Sequence, residues 1–470
     1  MKTKNNIYIL LFITTYLSSC NSYLDNVSLP IEKVPSQVTF SSESMIASAV
    51  TGAILESAES ASLTSSTYYL TGLYTDVLKN TAPLASILPY YKNTIQPSNS
   101  QFWSKYYKTI LNTNAAIEGI NKSNFNLQNK SQWLGECYFI RAYNYFLLTN
   151  FYGDVPLALT TDYNINNSLS RASIDEVYEQ IIADLILAKD LLPDNYKNGS
   201  AQNTQNRYRP NKATASALLS RVYLYNKDWE KADLEATSVI ENSNYELEDL
   251  ENVFTNGNKE IIFTFANYAP RRAPAFGQFN NNMPATLSST QTTGSYLVYS
   301  ALSDALSESF ESGDLRKLSW VRQTIAAANL SRPETIYYFP NKYKSAVLDN
   351  GLEIPLRLAE QYLIRAEARA HLKHPNAKDD LNIIRRRAGL PNIDPINIFE
   401  AIAKERYIEL FTEGAHRFFD LKRTQKINEV MKIAAISKET VWEDYMALFP
   451  IPLEDIYQNK NLIQNPGYAQ

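Results

Sequence analysis

The sequence predicts a mainly α-helical fold, in which packed helix pairs form a scaffold that carries long, loop-rich insertions. Three observations predict it. Glycine occurs only 14 times in 470 residues, under half its usual share of about 7%. Apolar residues recur at helical spacing over most of the chain beyond residue 101. Residues 41–100, which begin helically, and 243–350 lose that period and carry tyrosines among Ser, Thr, Asn and Pro. With 44% hydrophobic residues the chain has ample material for a core.

In chain order, Lys2 and Lys4 precede an apolar stretch from Ile7 to Leu17. That stretch falls short of the roughly 20 residues that span a bilayer, and its length suits an export leader. It ends in Leu17-Ser18-Ser19-Cys20, which resembles a bacterial lipobox. Residues 1–19 are then the leader, Cys20 the lipidated residue and 20–40 a tether. Removing Lys2 and Lys4 leaves a charge of 43 − 49 = −6. Cys137 is then the lone free thiol, expected as a small buried hydrophobe.

Helices follow. Phe102, Tyr106, Ile110 and Ile117 mark one, broken near Ser123 to Asn129. Leu134, Tyr138, Ala142, Tyr145 and Leu148 line a second from about Ser131 to Asn150, ended by Gly153 and Pro156. A third, Ser173 to Leu192, opens on Ser173 with Glu176 at the capping-box position and closes at Pro193. Asn211 to Asn242 reads as two helices around a tight turn: Ala215, Leu218, Leu219, Val222 and Tyr223, then Trp229, Ala232, Ala236 and Val239. Small residues that let two helices approach, with an aromatic at the turn, give this pair tetratricopeptide character. Further helices are expected over Leu356–His371, Ala377–Ala388 and Asn397–Thr412, and a strand over Glu260–Phe265. The boundary at 242/243 separates an N-terminal helical region (41–242) from a C-terminal region (243–470).

Several function classes fall away. No two glycines lie closer than Gly119 and Gly135, so neither G-x-G-x-x-G nor a Walker A loop is present. A net charge of −4 without a basic stripe argues against nucleic acid. Arg385, Arg386 and Arg387 read as a solvated helix face. His371 and His374 read as a surface pair, not a zinc site, because no third ligand lies near. No metal and no cofactor is expected. Glu308, Glu311 and Asp314 read as a solvated turn rather than a glycosidase pair, and no nucleophile motif appears, so catalysis is not expected.

The motifs, taken together, resemble the SusD/RagB nutrient-binding lipoproteins of Bacteroidota outer membranes. The matching residues are Arg141 to Phe146 leading into Tyr152-Gly153-Asp154-Val155-Pro156, Asn211 to Ala215 with Arg221 and Trp229, and Arg357-Leu358-Ala359-Glu360 with Tyr362-Leu363. Arg387-Ala388-Gly389-Leu390-Pro391, Glu405-Arg406, Glu413-Gly414, Arg417, Asp420-Leu421, Pro450-Ile451-Pro452 and Gln464-Asn465-Pro466-Gly467-Tyr468 follow in the same order. The resemblance implies a SusD-like fold of about four tetratricopeptide-like helix pairs. It also implies a surface lipoprotein that closes over a SusC-like TonB-dependent barrel and binds ligand through its inserted loops. Only Asp25 follows the lipobox cysteine closely, so the outward orientation rests on the resemblance. Arg141, Arg221, Arg357 and Arg417, with Glu136, Glu360, Glu413 and Asp420 nearby, are expected to tie helices together.

A sugar presents flat C–H faces and a rim of hydroxyls, so its site needs aromatic platforms edged by polar side chains. The candidates are Asp76, Tyr90, Tyr91 and Asn93 from the first insertion, and Tyr296 and Trp320 from the second, in a wider set with Tyr68, Tyr69, Asn99, Arg322 and Tyr337. Oligosaccharide is the expected ligand. Peptide, as in the RagB branch, and a pure protein-interaction scaffold are the alternatives.

Overall fold

The computed structural model describes residues 40, 42–58, 66–266, 279, 283–344 and 353–469. The expected leader, Cys20 and the tether up to residue 39 lie outside the described residues.

Helix α1 (Glu43–Ser57) leans on the scaffold and is followed by α2 (Thr67–Tyr74). The scaffold is a row of eight helices, each packed on its neighbour. They are α3 (Phe102–Lys122), α4 (Lys130–Tyr152), α5 (Ile174–Leu191), α6 (Lys212–Tyr225), α7 (Trp229–Ile240), α8 (Leu358–His371), α9 (Ala377–Arg387) and α10 (Ile398–Glu409). Taken two by two they make four pairs, and α11 (His416–Arg423) and α12 (Ile427–Ser437) follow. No helix of the described residues is long and apolar enough to cross a membrane.

Local chemistry explains the boundaries. The Ser173 hydroxyl accepts from the Glu176 amide while the Glu176 carboxylate accepts from the Ser173 amide, the expected capping box at the start of α5. The Asn211 and Asp228 side chains cap α6 and α7 by accepting the Thr214 and Lys231 amides. Gly153 ends α4 at φ +76, a left-handed conformation, and a Cβ there would approach Leu448 to 3.3 Å. Just beyond, the Asn465 amide donates to the carbonyls of Tyr152 (2.9 Å) and Phe449 (2.8 Å), and Gln464 braces both the amide and the carbonyl of Ile451. The C-terminal motif is therefore a clasp on the end of α4.

Buried ion pairs tie the row together. Arg141 meets Asp184 of α5, Arg221 meets Glu360 of α8, and Arg365 meets Asp380 of α9. Arg316, Arg357, Arg387 and Lys342 share Asp314, Glu260, Glu405, Glu409 and Glu413 in one enclosed network. Each of its four cations and five carboxylates has at least one oppositely charged partner, the condition under which buried ions are tolerated. The expected arginine ties exist, but two carboxylates take other partners: Glu136 binds Arg209, and Asp420 binds Arg406 and Arg423.

The network corrects two expectations. Of the Arg385–Arg387 run, only Arg386 is exposed; Arg385 is held by Glu311, and Arg387 reaches Glu260 and Glu409. Asp314 is buried against Arg316 rather than solvated. Cys137 is buried as expected, with its thiol pKa pushed up by burial.

The insertions fold as small sheets. Strand β1 (Leu78–Asn80) pairs antiparallel with β4 (Ser300–Leu302), with Leu78 opposite Leu302 and Asn80 opposite Ser300. Strand β2 (Ile261–Phe263), inside the expected strand, pairs with β7 (Leu356–Arg357). Between them, β3 (Thr286–Leu287), β5 (Val321–Ala326) and β6 (Thr335–Pro340) form a three-stranded sheet with β5 central.

Candidate functional site

The β1–β4 ladder brings the two insertions together. Around it the Thr81 amide donates to the Tyr299 carbonyl (2.9 Å), and the Thr81 and Thr293 hydroxyls share a hydrogen bond (2.8 Å). Strand β4 in turn packs against β6. The first and second insertions therefore present one continuous surface.

Strand register decides which side chains that surface carries. In the antiparallel β5–β6 pair, Arg322 faces Phe339, Thr324 faces Tyr337 and Ala326 faces Thr335, so these six share one side of the sheet; that side faces inward at Thr324, Ala326 and Phe339, and only Arg322, Thr335 and Tyr337 keep solvent contact. Tyr338 points to the other side and packs on the main core. A small separate core of Met283, Leu287, Val298, Ala301, Ala326 and Phe339 lies under the first side, and Tyr296 and Tyr337 pack half-buried on it. The Gln291 side-chain amide donates to the Tyr296 hydroxyl (3.1 Å). Leu297 follows at φ +59 with its side chain exposed, a conformation that costs a branched residue about 1–3 kcal/mol and so marks a shaped turn.

Tyr91 supplies the first insertion's aromatic. It is half-buried, its hydroxyl is bonded to the Asn80 backbone, and burial pushes its pKa upward. The Lys438 amine lies 5.4 Å from its ring centre, donates to the carbonyls of Leu73 and Tyr74, and is pulled down to about 7 by burial.

Of the expected site residues, Tyr91 and Tyr296 lie on this surface, together with Tyr337 and Arg322 of the wider set. The others are corrected. Asp76 is buried and clamped by Arg417. Tyr90 is buried in the aromatic core, 6.0 Å from Phe102 and 6.3 Å from Phe449 between ring centres. Asn93 is buried at φ +57, its side-chain amide donating to the Tyr74 carbonyl at 2.7 Å; it shapes a turn. Trp320 is 0% exposed, and its indole N–H donates to the Leu250 carbonyl at 2.8 Å. Tyr68 and Tyr69 belong to the wholly buried α2, and Asn99 caps a short turn by accepting from the Gln96 amide.

Sequence reasoning missed Asn80, Gln291, Leu297 and Tyr299. The turn Thr292-Thr293-Gly294-Ser295 was the available signal, since such a cluster marks a shaped loop.

Comparison with known proteins agrees with this architecture. A family profile described as "Starch-binding associating with outer membrane" matches residues 22–224, and one described as "SusD family" matches residues 183–468. The chain belongs to the SusD family. The SusD-like protein P2 of Formosa agariphila is 30% identical, in an alignment that covers 78% of this chain and 80% of that one. Two solved SusD-like structures share the fold. Surface glycan-binding protein A from Bacteroides fluxus superposes with a TM-score of 0.73 at 24% identity, over 91% of this chain and 100% of that chain. A laminarin-binding SusD-like protein superposes with a TM-score of 0.72 at 23% identity, over 91% of this chain and 99% of that one. The mainly α, SusD-like fold expected from the sequence is the fold found.

Proposed function

We propose that this SusD-family chain is a non-catalytic glycan-binding lipoprotein of the outer membrane. It captures oligosaccharide on the surface where its two insertions meet and delivers it to a SusC-like TonB-dependent transporter. One observation carries the reading: Tyr91, Tyr296 and Tyr337 are half-buried, so each side chain is positioned by the core and still meets solvent. Rings held in this way stack on sugar C–H faces with little further loss of rotamer freedom, and the Gln291 amide fixes one of them through the Tyr296 hydroxyl. The printed names of relatives support the ligand class, since two structural neighbours are a glycan-binding and a laminarin-binding protein. Against catalysis, Glu311 and Asp314 are engaged by Arg385 and Arg316, and neither is placed as half of a carboxylate pair around a cleft.

Lipidation at Cys20 and an outward-facing position complete the proposal. Calorimetric titration of the full chain with laminarin and starch oligosaccharides, and with mixed peptides, tests it. Binding of one glycan class that Tyr337→Ala weakens supports the reading; peptide binding with no glycan binding overturns it. Metabolic labelling with a palmitate analogue, lost in Cys20→Ala, tests the anchor. Co-purification of a TonB-dependent barrel from solubilised outer membranes tests delivery.

A further inference from the structure

Glycine follows asparagine at Asn198-Gly199, Asn256-Gly257 and Asn350-Gly351, the last of which lies outside the described residues. An Asn-Gly pair carries a latent reaction, because glycine has no side chain to keep its backbone nitrogen from the asparagine side-chain carbon one residue back. The two described pairs are alike in sequence and opposite in setting.

Asn198 is tied on every side. Its side-chain oxygen accepts from the Ser200 and Gln202 amides, both at 3.0 Å, and its side-chain nitrogen donates to the Gln202 side chain at 3.4 Å. Its backbone is engaged as well, the amide donating to the Gln202 carbonyl at 2.8 Å and the carbonyl accepting from the Ala201 amide at 3.0 Å. The other pair sits at the tip of a turn that Asn258 gathers. The Asn258 side chain donates to the carbonyls of Asn252 (3.0 Å), Val253 (2.9 Å) and Thr255 (2.6 Å) and accepts from the Glu260 and Ile261 amides. Asn256 and Gly257 take no part in that scheme. Among the described residues, neither the Asn256 side chain nor the Gly257 amide has a hydrogen-bond partner. Asn256 keeps partial solvent contact and Gly257 is exposed. Gly257 lies at φ +83, and a Cβ placed on it would meet nothing within 4 Å, so the space around its nitrogen is open.

We propose that Asn256 is a site of spontaneous deamidation, and that the hydrogen bonds on Asn198 protect the otherwise equivalent pair. The Gly257 nitrogen, once hydroxide has taken its proton, attacks the Asn256 Cγ. The new N–C bond closes a succinimide ring, and the side-chain nitrogen takes a proton from water and leaves as ammonia. Water then opens either carbonyl-to-nitrogen bond of the ring. Attack at Cγ gives aspartate; attack at the backbone carbonyl gives isoaspartate, with the chain rerouted through the side-chain carbon. Water is consumed and ammonia released, with no oxidant, reductant or second protein. Either product places an ionised carboxylate at the tip of the turn at neutral pH. The site does not depend on the glycan surface.

Incubation of the full chain in mildly alkaline buffer, followed by tryptic digestion and fragment mass spectrometry, follows both asparagines in one sample. We expect Asn256 to gain the mass of exchanging NH for O at least about tenfold faster than Asn198, the factor set by the hydrogen bonds that Asn198 must break. Its rate should rise with pH, and isoaspartyl methyltransferase should label the product. In guanidinium chloride, where both turns are lost, the two asparagines should convert alike. Asn256→Gln should stop conversion in that peptide and leave the melting temperature unchanged, since the side chain it replaces holds nothing. The proposal is wrong if Asn256 stays intact in the folded chain while the unfolded chain converts, or if Asn198 keeps pace with it. Aspartate formed without isoaspartate would overturn the succinimide route, and a clear loss of stability in Asn256→Gln would show that this side chain is tied as well.

Discussion

Arg417 holds Asp76 through two parallel hydrogen bonds, Nε to Oδ1 at 2.8 Å and Nη2 to Oδ2 at 2.6 Å. The Tyr407 hydroxyl donates to the Asp76 carbonyl at 2.8 Å, and the Arg417 guanidinium lies 3.9 Å from the Tyr407 ring centre. This residue of the first insertion, two positions before β1, is thus fastened to α10 and α11, at the far end of the chain.

Asp76→Ala should therefore destabilise the fold by about 2–3 kcal/mol, less than for a fully enclosed pair because Arg417 keeps some solvent contact. The Asp76→Ala/Arg417→Ala double variant should cost less than the sum of the single ones. Urea unfolding of all three measures the coupling, and strictly additive costs would show that the pair is not a strut.

Trp320→Ala should cost about 3–5 kcal/mol, because it opens a cavity between Phe254 and Phe411 and strips the Leu250 carbonyl of its donor. Glycan affinity per folded molecule should not change. Selective loss of glycan binding in a normally stable Trp320→Ala chain would contradict the buried placement.

Tyr296→Ala and Tyr337→Ala should each weaken glycan binding about five- to tenfold, the worth of one stacked ring. Both rest on the small core beneath the sheet at half burial, so melting temperatures should fall only slightly. Equal affinity in both variants would place the sugar elsewhere.

His416 predicts a pH dependence. It is buried and faces Glu360, Arg221, Arg406 and Asp420, and burial lowers its pKa from 6.5 to about 4. Between those values the unfolded chain takes a proton that the folded chain refuses. Stability therefore falls as pH drops from about 6.5 to about 4, by up to about 3 kcal/mol, and this group adds no further loss below that. Urea midpoints from pH 7 to pH 4.5 should slope less in His416→Gln than in the parent; identical slopes would remove His416 as the cause.

The scaffold was legible because helical periodicity and caps are local. Ser173 with Glu176, and the small residues of α6 and α7, state their structure within a few positions, and the arginines declared their role by sitting among apolar neighbours. The site was only half legible. Tyr90 and Tyr91 are adjacent and of one type, yet Tyr90 packs on Phe449 from the other end of the chain and Tyr91 stays half open. Nothing local separates them. Trp320 shows the same limit, since its partners Leu250 and Phe411 arrive from distant segments.

The three-residue ladder between β1 and β4 also governs how such a protein can be altered. Since Leu78 to Asn80 and Ser300 to Leu302 complete one another, neither insertion is a module by itself. A chimera that imports a relative's ligand loops must carry residues 78–100 and 286–340 as one cassette. Exchange of either half alone would leave a frayed seam in place of a new specificity.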